Sequence, residues 1–266
     1  MQKRSILAVG LAVTAISMAL AAVAFAGPVG APVTTPDGNA QAYGALVKGK
    51  LYKKKWTPAK LEVTTSLANQ TRPGGVPVPT TNVVIDFDKG TKVFSKGYPT
   101  CDASKLQNVS TEIAERECKK AIIGRGTAKA LLPVGSQVFP VEQVVTAFNG
   151  VPKNGHTVVL LHTYGTKPVQ TALVLTGVVT PLNKEGYGPR LDVEVPLIAG
   201  GAGALTYFNT TINTKYKYKG KTVSYIQGKC PASKKLKSRS VFTFLDKQAS
   251  DPVYTAKCTQ KPEKKK

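Results

Sequence analysis

Apolar and polar positions alternate along much of this chain with a period of two. From 190 to 195, Leu191, Val193 and Val195 fall on one face while Arg190, Asp192 and Glu194 fall on the other. Such alternation predicts a half-buried β-strand. The same reading predicts strands at 61–67, 83–88, 121–132, 141–148 and 238–245, the last with Val241 or Phe242 and Phe244 inward. The runs 157–164 and 171–179 are almost continuously apolar, as expected of strands covered on both sides. Asn149-Gly150 is the kind of dipeptide that turns a hairpin, and Gly200-Gly201-Ala202-Gly203 is a strand-to-strand connection. One segment, 101–120, reads as helical: Ser110 can cap it, Glu112 and Glu115 lie early, and Lys119 and Lys120 lie at its end. Turns about every ten residues then predict an all-β fold of sandwich-like antiparallel sheets carrying one small helical insertion.

The ends depart from this pattern. Lys3 and Arg4 precede an apolar run that closes on Ala24-Phe25-Ala26, which predicts a secretory signal peptide over 1–26. An uncleaved anchor is the alternative, because such a run could span a bilayer. Beyond it no second apolar run of spanning length occurs, so no transmembrane segment is expected after cleavage. Residues 27–45 read as a flexible leader rich in Gly, Pro, Ala and Thr; 46–258 as one β-rich domain; and 259–266 as a basic tail. The expected location is outside the cell or at its envelope.

Four cysteines, Cys101, Cys118, Cys230 and Cys258, all follow the signal, and an even count in an exported chain points to two disulfides. Three pairings are open. Cys101–Cys118 and Cys230–Cys258 are preferred because each brackets one local excursion, the first pinning the helical insertion.

The formal net charge is +22, yet only six of the 37 basic residues are arginines. Lysine is a hydrated point charge, whereas arginine forks onto phosphates and bases. This balance argues against sequence-specific nucleic-acid reading and leaves two alternatives. Lysines keep an exported β protein soluble and its edges unpaired, or they attract anionic polymer of the envelope or the extracellular medium. The densest cluster is Lys48, Lys50, Lys53, Lys54, Lys55 and Lys60, around Tyr52 and Trp56. It reads as a docking patch for such a polymer or as an exposed edge with Trp56 tucked against the core.

Candidate chemistry is sparse. His156 and His162 are the only histidines, and His162 lies inside an apolar run, where a hydrogen-bonded buried histidine is expected. Asp86 and Asp88 share a strand face but lack the further ligands of a calcium loop, so they read as solvent-facing carboxylates beside a turn. Asp192 and Glu194 share a face as any strand neighbours do, which gives a glycosidase pair little support. Gly220-Lys221-Thr222 lacks the first glycine of a phosphate loop, and Tyr216 and Tyr218 face away from Lys217 and Lys219, toward the core. No catalytic, cofactor or metal site is assigned. The expected role is that of an exported, non-enzymatic β-sandwich protein whose partner is anionic polymer of the envelope or the extracellular medium; the alternatives are a secreted hydrolase with a site assembled from distant residues and a carrier of a small apolar ligand within the β core.

Several stretches together carry a resemblance: Ile85 through Gly90, Tyr98-Pro99-Thr100-Cys101, Phe148-Asn149-Gly150, Leu160 through Tyr164, Tyr187-Gly188 through Gly203, and Tyr218 through Cys230. In this order the chain resembles a group of exported, β-rich actinobacterial proteins with no assigned activity. The resemblance covers about 47–258 and implies export, two disulfides and a β fold. It transfers no functional residue.

Overall fold

The alternating strands curl into one nearly closed sheet. A computed structural model describes residues 28–167 and 170–262. Ten strands carry the fold: β1 (Asn39–Lys48), β2 (Thr57–Asn69), β3 (Thr80–Asp88), β4 (Ile122–Val134), β5 (Gln137–Lys153), β6 (His156–Gly165), β7 (Thr171–Pro181), β8 (Tyr187–Glu194), β9 (Ala204–Ile212) and β10 (Lys235–Phe244). Their order around the sheet is β1-β2-β9-β4-β5-β6-β7-β8-β3-β10, and every neighbouring pair is antiparallel. Strands β4 to β8 form a continuous meander.

The expected all-β antiparallel character is present, but the sheet is a nearly closed barrel and not a sandwich. The seam lies between β10 and β1. Side chains cross it, with Tyr43 and Phe242 edge to face at 6.2 Å. Strand Val253–Lys257 pairs with β10 there, and Gly30 donates its N–H to the Tyr43 carbonyl at 2.9 Å. Gly44 permits that covering, since a Cβ at this position would sit 1.8 Å from the Pro28 carbonyl oxygen.

Inward positions follow the predicted period. They include Leu61, Val63 and Leu67 on β2, Val83, Ile85 and Phe87 on β3, Leu191 and Val193 on β8, and Phe242 on β10. Val241, the other candidate, is exposed. On strand β4, the Gly126 backbone lies so close to β9 that a Cβ would be 1.8 Å from the Asn209 carbonyl oxygen.

One end of the barrel is closed by aromatic side chains. Tyr225 is 1% exposed and donates to Asn149 Oδ1 at 2.9 Å. Tyr98 packs against it edge on and donates to the Ile122 carbonyl at 2.6 Å. Tyr216, on the small hairpin formed by Lys215–Tyr218 and Lys221–Ser224, packs on Tyr98 and donates to the carbonyls of Phe94 and Lys96. The tyrosines expected to face the core therefore stack on the 94–98 loop that covers it.

The connection from β3 to β4 is the helical insertion, shorter than expected. Its α-helix, α1, runs Thr111–Glu117, with Ser110 Oγ accepting from the Ile113 N–H. The insertion lies over the outer face of β5 and β6, where Leu106, Ala114 and the Cys101–Cys118 disulfide pack on Phe148, Val158 and Leu160. The second disulfide, Cys230–Cys258, joins the segment before β10 to the one after Val253–Lys257.

Four expectations need correction. Residues 27–45 do not form a leader throughout, because β1 begins at Asn39 and Tyr43 is fully buried in the barrel. The tail beyond 258 begins with Thr259–Gln260, which pairs in parallel with Lys50–Leu51. Asn149-Gly150 is not a turn but the interior of the 17-residue strand β5; the chain turns at Asn154-Gly155, where φ is 51° and 75°. Asp86 and Asp88 are buried rather than solvent-facing, for reasons given below. The expected signal peptide, 1–26, and the end of the tail, 263–266, lie outside the described residues.

Candidate functional site

The barrel interior is the most distinctive site the fold creates. A cavity of about 120 Å³ lies inside it, walled by side chains from β1, β2, β3, β4, β6, β7, β8, β9 and β10. Val83, Val159, Leu175, Leu191 and Phe208 point inward yet are only half-buried. Small inward residues explain the space. Gly126, Ala147 and Gly177 occupy register positions where the neighbouring strands present Thr210, Leu161 and Val193. Tyr225 and Ile226 form one end of the wall; Val195 and residues 205–207, half-buried, form the other.

Polar groups on this wall are few, and most are occupied. Gln41 Nε2 donates to the carbonyls of Ala42 at 3.0 Å and Ser66 at 2.9 Å, and also to Thr65 Oγ1. The Tyr43 hydroxyl faces that of Ser238, but neither completes a hydrogen bond of ordinary geometry. Burial raises the Tyr43 pKa, the Ser238 hydroxyl opposing it, so the phenol stays protonated. The wall supplies apolar contact and shape. It offers no base or nucleophile with a partner.

Outside the barrel, the carboxylate of Asp86 holds three strands together. It is 3% exposed and accepts from Arg190 Nε and Nη2 on β8 at 2.6 and 2.9 Å and from Arg239 Nε on β10 at 2.8 Å. Burial alone would raise its pKa, but the hydrogen bonds and charges of the two guanidiniums outweigh it and hold the carboxyl below the usual range. Arg239 also pairs with Glu185 at 3.0 Å and lies over the Tyr187 ring. Asp88 accepts the backbone N–H groups of Gly90 at 2.7 Å and Lys237 at 3.1 Å. Both carboxylates are structural.

His162 lies beneath the insertion, fully buried, with Nε2 at 3.0 Å from the Val109 carbonyl. A carbonyl only accepts, so the proton is on Nε2, and Nδ1 is left without a partner. Burial lowers the pKa of the ring and keeps it neutral. Nearby Glu115 is held by Arg125 and by Thr146. Among the described residues, no group of three or more His, Cys, Asp and Glu side chains could hold a metal ion.

The six lysines named above are all exposed. Lys48 and Lys60 are register partners on β1 and β2, with Glu62 pairing Lys48. Lys50 lies on the short strand Lys50–Leu51, and Lys53, Lys54 and Lys55 lie in the loop after it. Trp56, which one of the two readings of this cluster tucks against the core, is 38% exposed. It borders an open cleft with residues that the sequence cluster did not include, among them Lys89, Lys92 and Asn183. Both disulfides form as preferred from the spacing, with Cα–Cα separations of 5.5 and 5.8 Å. No described helix is long and apolar enough to cross a membrane.

No family model matches this chain, no curated protein matches it, and no solved structure matches it. The functional reading therefore rests on its own residues.

Proposed function

We propose that this chain is an exported, non-catalytic binding protein that holds a small apolar molecule inside its barrel. The cavity carries this reading: an apolar space of about 120 Å³ bounded by Leu, Val, Ile and Phe side chains. An apolar cavity of about 150 Å³ in another protein stays dry and takes up benzene, so this volume suits one ring or a short branched alkyl group. Burying such a group contributes about 25 cal/mol per Å² of apolar surface removed from water. The Gln41 amide nitrogen, occupied by backbone carbonyls, and the protonated Tyr43 make the wall a poor catalyst and a good container. Export is supported by the signal-like start and is compatible with the two disulfides.

Native mass spectrometry of protein secreted by its host, with and without an organic extraction, tests the proposal. A bound mass that extraction removes, and that Leu175→Trp abolishes while the fold is retained, is the expected result. A wild-type protein that carries no adduct and takes up neither benzene nor toluene from saturated buffer overturns it.

A further inference from the structure

We infer that the open cleft beside Trp56 is a second binding site, for an acidic saccharide, independent of the barrel interior. The cleft has a volume of about 350 Å³, at the lower end of small-molecule sites. Trp56, Lys89, Lys92, Thr180 and Asn183 line it, and no carboxylate does. Lys229 Nζ lies 4.4 Å and Lys92 Nζ 5.5 Å from the Trp56 ring centre, so two ammonium groups are gathered at one partly exposed indole. Among the described residues, none of Lys89, Lys92 and Lys229 is paired with a carboxylate.

These groups match the parts of an acidic sugar. The ammonium groups meet a carboxylate, Thr180 and Asn183 meet hydroxyls, and the indole offers an amphipathic face to the C–H side of a ring. Nucleic acid fits less well. It favours arginine forks and several aromatic platforms, whereas Arg116, Arg125, Arg190 and Arg239 are all engaged by carboxylates of this chain. Trp56 and His156 carry the aromatic rings on the cleft wall, and no Phe or Tyr lines it, so a run of stacked bases finds no row of platforms there.

Trp56 is also the only tryptophan in the sequence, so intrinsic fluorescence reports on this cleft directly. Full-length mature protein is titrated with a short polygalacturonate oligomer at low salt. The expected result is a saturable change in Trp56 emission. Lys92→Gln with Lys229→Gln should weaken binding at least about tenfold, while Lys53→Gln with Lys54→Gln should change it less than about twofold. The fully methyl-esterified oligomer should not bind. Calorimetry should show that Trp56→Leu also loses affinity. Equal losses from both lysine pairs would mean diffuse attraction and overturn the inference, as would binding without any change in emission. Tighter binding of single-stranded DNA of equal charge would assign the cleft to nucleic acid instead.

Discussion

Replacing Asp86 by Asn tests whether the outer face of the barrel is tied together by charge. The carboxylate is 3% exposed and accepts three hydrogen bonds from two guanidiniums on flanking strands. Removing one partner of a fully buried ion pair costs about 3–5 kcal/mol. Arg190 and Arg239 retain 37% and 34% side-chain exposure, however, and can recover water. Discounting for that solvation, Asp86→Asn should cost about 2–3 kcal/mol. For a chain of this size that is a fall in Tm of roughly 4–12 °C.

The pH dependence carries the sign. The folded-state pKa of Asp86 lies below the unfolded value of about 3.9. Its contribution is therefore fully present above about pH 4–5 and disappears as pH falls through the depressed folded value. Urea denaturation of wild type and Asp86→Asn at several pH values should show the full gap at pH 7 and a closing gap toward pH 2. An unchanged midpoint at pH 7, or a gap that stays constant to pH 2, would refute the assignment.

Other substitutions probe other joints. Gly126→Ala places a Cβ against the Asn209 carbonyl oxygen and should cost at least about 2 kcal/mol by chemical denaturation, because backbone and not a flexible side chain must yield; an unaltered midpoint would show that β4 and β9 are further apart. Tyr43→Phe removes a buried hydroxyl that completes no ordinary hydrogen bond, so stability should stay within about 1 kcal/mol of wild type. A larger loss would mean that the Ser238 contact is a full bond. Cys101→Ser with Cys118→Ser opens a loop of sequence separation 17 and should cost about 3 kcal/mol. With the insertion loosened, His162 should titrate at a higher pH by proton NMR than in wild type, where burial depresses its pKa and makes the protein lose stability as pH falls through the ordinary histidine range.

Local order was readable in the sequence where neighbours along the chain decide it. Alternation identified the inward Leu191 and Val193, Ser110 marked the start of α1, and cysteine spacing favoured the observed disulfides. Closure was not readable, because a sandwich and a barrel present the same period of two. What separates them is register and stagger between strands such as β9 and β2, far apart in the chain. The strand β1 was hidden by its Ala and Gly residues, which pattern like a linker until Tyr43 is placed against Phe242. Asn149 misled for a related reason. Its amide serves the Pro99 carbonyl and the Tyr225 hydroxyl, partners 50 and 76 residues away, so the residue is fixed by tertiary contacts and not by a turn. The cleft at Trp56 likewise joins the segments near 56, 90, 156 and 180, and Asp86 gained its arginines from positions 104 and 153 residues later.

Holding an apolar guest requires that the barrel interior be accessible to it. Methyl-labelled Leu and Val spectra of the mature protein, recorded while toluene is added, test this directly. Saturable shifts confined to Val83, Val159, Leu175 and Leu191, with Val134 and Leu245 on the surface unmoved, are the predicted result. Shifts only at surface methyls, or none at saturating toluene, would contradict it.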